Sequence, residues 1–485
     1  MSSKLKAALI LAVSVFLLFS CELILRRRLG GDPDKMDRLF QNEVLYLDAE
    51  SKVPFFKRDG ADWVTARPRA LPQRFPAAKA EGELRVFVAG ESVALRLGTR
   101  PLEDALGRDF PDRRVRVINC GMGSYDSSRT AAVLMELQAY GPDLFVVLVG
   151  NNDGRSQAGG SALLARLNIA LRELWTWRLA QDAVARALAP SRSERRARVE
   201  RRFARNLESM AEGAKAAGVP LVLCTLPVNA RDYPPLGALP SSDGDFSWGW
   251  ASFERGHFSG AVAGFREFSG RNPDDAMVHY WLARAREKIK DPAGARWEYR
   301  KALERDFPDR CTPSRNETIR GVAREQGAAL ADLERLFERL SPGGPPGWAL
   351  FDDGVHFRER TYPAVASAIA SSASGRKAGA PASIDTSWQA GPELEGVALD
   401  ALSQAVQAGL QDPPVILERA VAELILVERH DPALIKHLTQ RPEALATALS
   451  DNDWARPVAA AVPAGWESVV RHVDEAERRR LQWRK

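Results

Sequence analysis

The run PDLFVVLVG, from Pro142 to Gly150, decides the fold. Alternating apolar and polar residues would mark a strand with one wet face. An unbroken apolar run closed by glycine marks a strand buried on both faces, the situation in a parallel sheet covered by helices on each side. Three more runs share this character: ELRVFVAG from Glu83, VRVINCG from Val115 and VPLVLCTLP from Val219. Helical stretches lie between them. SSRTAAVLMELQAY starts at Ser127, and ERRFARNLESMAEGAKAAG starts at Glu200 and closes on a glycine that suits a helix stop. Strand and helix therefore alternate, which predicts an α/β fold: a three-layer sandwich around a central, mainly parallel sheet, over residues 81–373.

Outward from that rhythm the chain changes character. SALLARLNIALRELWTWRLAQDAVARALA, from Ser161, gives 155–198 a helical, apolar reading. ALPSSDGDFSWGW, from Ala238, reads as a loop. GAVAGF at Gly260 and GARWEY at Gly294 repeat at an offset of 34 residues around a helix opened by NPDD. That period belongs to tetratricopeptide-like (TPR-like) helix pairs, and one and a half repeats predict a helical insert over about 252–306 rather than a solenoid. The α/β pattern resumes with a short strand near Ala328 to Ala331 and a last helix from Thr361. A linker of small residues (374–387) and a helical region (388–485) complete the chain, and His430, His437 and His472 there have no ligand spacing.

At the other end, AALILAVSVFLLFSCELIL runs from Ala7 to Leu25, long enough for a bilayer core, with Lys4 and Lys6 before it and Arg26 to Arg28 after it. Residues 1–30 read as an uncleaved membrane anchor; a cleaved signal or a lipoprotein box ending at Cys21 is one alternative and a buried helix another. The expected location is a single pass in the cell inner membrane, with the bulk of the chain extracytoplasmic. Residues 31–80 read as a juxtamembrane linker.

The 485 residues are too many for one core, and 45% hydrophobic with 27% charged residues is an ordinary globular composition. The densest basic stretch, RSERRARVERRFAR from Arg192, is interrupted by Glu194 and Glu200 and lacks zinc-finger or RNA-binding companions. It reads as a solvated helix face and not as a nucleic-acid site. Four widely spaced cysteines match no metal pattern, and no cofactor is called for.

Chemistry-bearing residues collect where strands end, the place open α/β sheets keep their ligands. GES, Gly90 to Ser92, gives a tight turn and a hydroxyl at a helix start. NCGMGSYDSSR, Asn119 to Arg129, is glycine-rich. GNND, Gly150 to Asp153, puts an amide after the most apolar strand. FDDGVHF places Asp353 three residues before His356. A serine hydroxyl needs a base, histidine titrates near neutrality, and a carboxylate fixes its tautomer. The set meets the requirements of acyl transfer.

These four blocks, in this order and strand context, resemble the SGNH (GDSL-type) hydrolase superfamily, and more closely its large bacterial members with a membrane anchor and TPR-like segments. LPVNARDYPP from Leu226 is similar to their loop after the fourth strand, and the likeness covers about 80–370. The resemblance implies Ser92 as nucleophile, His356 as general base, Asp353 as its orienting acid, and Asn152 with the backbone N–H of Ser124 as oxyanion donors. Ser124 stands where many members have glycine, and Glu91 where the family name has aspartate. Gly123, Arg129 and Arg231 are candidate substrate contacts; salt bridges within the fold are the competing reading for the two arginines. Implied partners are an ester-bearing glycan or lipid substrate, the membrane through the N-terminal helix, and a protein at the TPR-like insert or the C-terminal helices. Hydrolysis of O-acyl esters is the first expectation and O-acyl transfer to an extracytoplasmic polysaccharide the second. A non-catalytic scaffold is the rival of a different class.

Overall fold

The computed structural model describes residues 17, 19–28, 53–154, 171, 174–177, 179–180, 183, 191–233, 235, 244–254, 256–306, 310–341, 343–347, 349–352 and 354–376. The C-terminal region 388–485 and most of the expected linker before it lie outside the described residues. So does much of the run Ala7–Leu25. The chain divides into two compact units, one comprising residues 1–54 and 157–198 and the other the remainder.

The second unit is built on five parallel strands: β4 (Glu83–Gly90), β5 (Arg114–Gly121), β6 (Leu144–Leu148), β7 (Leu221–Cys224) and β8 (Ala329–Ala331), in the spatial order β5-β4-β6-β7-β8. Helices α1 (Ser92–Arg96) and α2 (Thr99–Asp109) follow β4, α3 (Ser127–Leu137) follows β5, and α4 (Arg192–Ala216), which belongs to this unit from Val199 onward, precedes β7. All of β4 and β6 is buried, as their unbroken apolar runs require. Side chains still alternate between the two faces. Val86, Val88, Val146, Leu148 and Val222 join one core with Leu102 and Leu106 of α2 and Val365 and Ile369 of the last described helix (Tyr362–Ser374). Phe87 and Phe145 point the other way, with Phe87 packed towards Tyr140.

The register places the strand ends level. Gly90 pairs with both Gly121 and Leu148, Leu148 with Cys224, and Cys224 with Ala331. Five loops therefore leave the sheet along one edge. β4 is followed in sequence by β5 on one side and then by β6 on the other, so the strand order reverses direction between β4 and β6. A crevice opens at such a switch point.

Two stretches differ from expectation. Residues 31–80 read as linker, yet β1 (Phe56–Asp59), β2 (Asp62–Thr65) and β3 (Arg74–Pro76) form an antiparallel sheet. Its Phe56 and Phe75 are buried and pack edge-on against each other at 5.0 Å, with Phe75 also 6.0 Å from Phe87 of β4. Strands of three or four residues carry too little periodicity to be seen in a sequence. The apparent loop at 238–250 contains the start of helix α5 (Gly244–Glu254). Its Phe246 and Phe253 bury against Phe265, and Gly249 lets the helices approach so closely that a Cβ there would come within 2.9 Å of the Phe265 ring.

α5 packs on α6 (Phe258–Arg271), α6 on α7 (Ala276–Lys288) and α7 on α8 (Pro292–Arg305), around a separate aromatic core. Asp275 and Asp291 cap the last two helices through backbone N–H groups. Within this core His279 Nδ1 lies 2.7 Å from Glu298 and Nε2 lies 3.0 Å from the Pro273 carbonyl. His279 therefore serves packing and capture of Glu298.

The level strand ends depend on bare glycine. A Cβ on Gly121 would sit 2.2 Å from the Leu95 nitrogen and 2.6 Å from the Ala94 carbonyl carbon. Gly121→Ala should lower stability by about 3 kcal/mol, read as a shifted urea midpoint with unchanged m-value.

Candidate active site

Gly90 ends β4 at φ +148, a conformation other residues rarely adopt, and a Cβ there would lie 2.0 Å from the Leu148 carbonyl oxygen. The turn lets the Glu91 N–H donate to that carbonyl at 3.1 Å. Ser92 follows at the start of α1. Its hydroxyl lies 2.8 Å from Nε2 of His356, across 264 positions of sequence.

His356 sits at the tip of a closed loop. Phe351 and Phe357 pair as an antiparallel bridge, and the Asp352 N–H donates to the His356 carbonyl at 2.9 Å. Phe337, Phe351 and Phe357 stack beneath it with centroids 4.9 to 5.9 Å apart. The loop after β7 braces it from the side: the Asn229 N–H donates to the Gly354 carbonyl at 2.9 Å, and a Cβ on Gly354 would meet the Tyr233 ring at 3.0 Å. Asp353 lies outside the described residues. For His356 to accept the serine proton at Nε2, its Nδ1 must carry the other proton.

Asn152 and Ser124 meet through the backbone. The Asn152 amide donates to the carbonyl of Tyr125, next to Ser124, at 3.2 Å. Ser124 has φ +61, the left-handed region for which glycine is favoured. Gly123 has open space where a Cβ would stand.

The two arginines are engaged within the fold. Arg129 is 4% exposed and pairs with Asp126 at 3.5 Å. Arg231 pairs with Glu287 at 3.1 Å and lines a cavity of about 290 Å³ with Lys290 and Pro345.

Residues expected to take no catalytic part hold the site together, Asp153 in the loop-holding role expected of it. Glu91 is fully buried. Its two oxygens accept from the backbone N–H groups of Gly150 (3.4 Å), Asn151 (3.1 Å) and Asn152 (3.3 Å) and from the Asn151 side-chain amide. It thus ties the serine turn to the loop that presents Asn152. Burial and the nearby Asp153 charge push its carboxyl up to about 8, against the opposing Asn151 and Gly150 hydrogen bonds. Asp153 is itself pushed up to about 6 by burial, opposed by the Arg315 charge. Asp153 accepts from the Ser127 N–H at 3.2 Å and from the Ser127 hydroxyl. Arg315, fully buried and paired with Glu200 at 3.0 Å, donates to the Gly150 carbonyl at 2.8 Å.

Asn119 caps the other end of α1. Its amide donates to the carbonyls of Ala94 (2.8 Å), Leu95 (3.3 Å) and Leu97 (2.9 Å), while its Oδ1 accepts from the Gly121 N–H at 2.9 Å. Gln73 in turn bonds both the N–H and the carbonyl of Asn119, at 2.8 and 2.7 Å. The sequence signal was present, an asparagine opening the block NCGMGS, but side-chain direction is not written in spacing. The hydroxyl of Ser92 and the imidazole of His356 are in contact, and the amide of Asn152 lies on the loop tied to the serine turn through Glu91. Among the described residues no cluster of His, Cys, Asp and Glu is arranged to hold a metal ion.

No family model matches the chain. No curated protein matches it either. Among solved structures, the alpha/beta hydrolase LAE5 from the metagenome of Lake Arreo, Spain, is similar at 14% identity and a TM-score of 0.30, covering 62% of this chain and 97% of its own. A GDSL-like lipase from Bacteroides thetaiotaomicron is similar at 14% identity and a TM-score of 0.28, covering 61% of this chain and 90% of its own. TesA is similar at 17% identity and a TM-score of 0.26, covering 59% of this chain and 95% of its own. Likenesses this slight assign no chemistry, which rests on the residues of the site.

Asn119→Ala leaves the α1 carbonyls without their donor. It should cost about 1–3 kcal/mol and should slow covalent capture of Ser92 in protein that remains folded by circular dichroism. Glu91 titrates at about 8 in the fold against an ordinary 4.5, so in that window the folded chain holds a proton that the unfolded chain has lost. Its contribution is complete below the lower value and is lost as pH rises through the upper one. Glu91→Gln should therefore flatten the fall in denaturation midpoint between about pH 5 and pH 8, even though an amide facing N–H donors lowers the midpoint overall.

Proposed function

We propose that the chain is a serine-dependent ester hydrolase acting on O-acyl, chiefly acetyl, esters of an envelope glycan or lipid. The observation that carries this reading is the 2.8 Å contact between the Ser92 hydroxyl and Nε2 of His356, at the edge where the five strands end together. A hydroxyl at a helix start, hydrogen-bonded to an imidazole, is the minimal activated nucleophile.

The steps follow from the atoms. His356 Nε2 takes the Ser92 proton as Oγ attacks the ester carbonyl carbon, and the carbonyl electron pair moves onto oxygen. Asn152 and the Ser124 N–H serve as donors to that oxyanion once a substrate replaces the Tyr125 carbonyl as the amide's partner. Such a donor contributes about 3–4 kcal/mol to the transition state. The C–O bond of the leaving alcohol breaks, the alkoxide takes the proton from His356, and Ser92 is left acylated. Water gives a proton to the same imidazole as it attacks the acyl carbon; the bond from that carbon to Ser92 Oγ then breaks, Oγ takes the proton back from His356, and the carboxylic acid leaves and ionises. In this reading the Asp353 carboxylate accepts the hydrogen bond from the Nδ1–H of His356, the N-terminal run tethers the catalytic unit to the cell inner membrane on its extracytoplasmic side, and α5–α8 form a TPR-like surface for a protein partner.

A fluorophosphonate probe tests the chemistry. Intact-mass and peptide mapping should locate the label on Ser92, and Ser92→Ala and His356→Ala should each reduce short-chain ester turnover roughly a thousandfold or more. Folded protein that takes up no label would dispose of the reading.

A further inference from the structure

The described residues of the first unit are inside out by the standard of a protein dissolved in water. Residues 17 and 19–28 are helical. On that helix Leu17, Phe19, Leu23 and Ile24 are each more than half exposed, while its one acid, Glu22, is 7% exposed. The Glu22 carboxylate accepts from the N–H groups of Trp175 (3.1 Å) and Thr176 (3.0 Å), from the Thr176 hydroxyl (3.0 Å) and from Nε of Arg26 (2.8 Å). Trp175 and Thr176 open a second helical stretch, in which Trp175 is buried and Leu179 is exposed.

Water as solvent selects the reverse arrangement, with apolar groups inward and carboxylates outward. Hydrocarbon as solvent selects this one: apolar side chains face out at no cost, and an ionised group must find every partner inside the protein. The surrounding charge agrees. Arg26, Arg27 and Arg28 close that helix and are exposed, and half-buried Arg195 and Arg196 and exposed Arg198 belong to the same unit. Arginine at the edge of an apolar surface pairs with phosphate-bearing headgroups. In sequence, the run from Ala7 to Leu25, with Glu22 its single charge, is about as long as a bilayer core requires.

We infer that this unit docks on an anionic bilayer through two elements, not one. Glu22 joins the N-terminal helix to the helical stretch from Trp175, so that Leu179 meets acyl chains alongside Phe19, Leu23 and Ile24 while the arginines lie at headgroup level. Among the described residues no helix is long and apolar enough to cross a membrane, and docking requires none. The inference goes beyond the N-terminal tether already proposed and is independent of the ester chemistry.

The full chain supports a direct test. Cys120, Cys224 and Cys311 are buried, and Cys21 is exposed. In a Cys21→Ser background, a fluorophore is attached through Leu179→Cys, Phe19→Cys or, on the other unit, Trp297→Cys. Vesicles contain phosphatidylcholine, with or without phosphatidylglycerol, and lipids carrying a quencher on the acyl chain. Quenching is expected at 179 and 19 and not at 297, with association about tenfold or more weaker in vesicles lacking phosphatidylglycerol. Glu22→Ala should abolish quenching at 179 and leave it at 19. Quenching at 19 alone in the parent protein would keep the tether and overturn the second contact. Quenching at neither, including a unit covered by another copy of the chain, would overturn both. Equal association with neutral vesicles would overturn the anionic assignment.

Discussion

The second unit depends on one buried acid. Glu91 stands between Ser92 and the glycine that ends β4, and it collects N–H donors from three consecutive residues of the loop after β6. An unsatisfied N–H at this depth would be expensive, and three successive ones cannot be served by a single carbonyl. An acid one residue before Ser92 solves the problem and in doing so fixes the distance between the two walls of the crevice. The longer reach of glutamate relative to aspartate is used in full, since both of its oxygens bond across the switch point. Burial so close to Asp153 raises the cost of its charge, and the opposing Arg315 charge beside Asp153 keeps the arrangement compatible with a compact core.

A second line of support runs through the helical insert. Arg310 donates to the carbonyls of Asn229 and Tyr233 at 2.9 Å each and lies over the Tyr233 ring. The Tyr280 hydroxyl of α7 donates to the Arg231 carbonyl at 3.0 Å, and Arg284 donates to Asp232 at 3.2 Å. The same segment, 229–233, holds Gly354 beside His356. The insert is therefore bolted to the loop that steadies the imidazole. Arg231, expected as a substrate contact or a salt bridge, has its guanidinium beside Glu287 and its backbone under Tyr280, a place in this strut.

The legible parts of this chain were those governed by solvent exclusion over many residues. β4, β5, β6 and β7 were visible as runs because both sheet faces are covered, and the loops that follow them were visible because glycine and polar residues interrupt those runs abruptly. The pairing of Ser92 with His356 was expected from block order and resemblance, and no local pattern could have supplied a contact spanning 264 positions. What escaped were features decided by a single side chain or by a few residues. β1 to β3 are too short to show a period, and α5 begins in a glycine- and serine-rich stretch whose helicity comes from Phe246 and Phe253 finding a core. Glu91, Asn119 and Arg315 act through the direction of one side chain, which depends on the neighbouring backbone and not on spacing.

Glu22 and Glu91 make the contrast physical. Each is a carboxylate removed from solvent and surrounded by backbone N–H donors, and each joins two segments far apart in sequence. Around Glu91 the neighbouring apolar side chains are buried with it, Val88 and Val93 among them, as water demands. Around Glu22 they face outward. A sequence alone records both as an acid within an apolar run. Only the direction of the surrounding side chains separates the two: around Glu91 they enclose the acid within a core, as water selects, and around Glu22 they take the direction that a hydrocarbon surrounding would select.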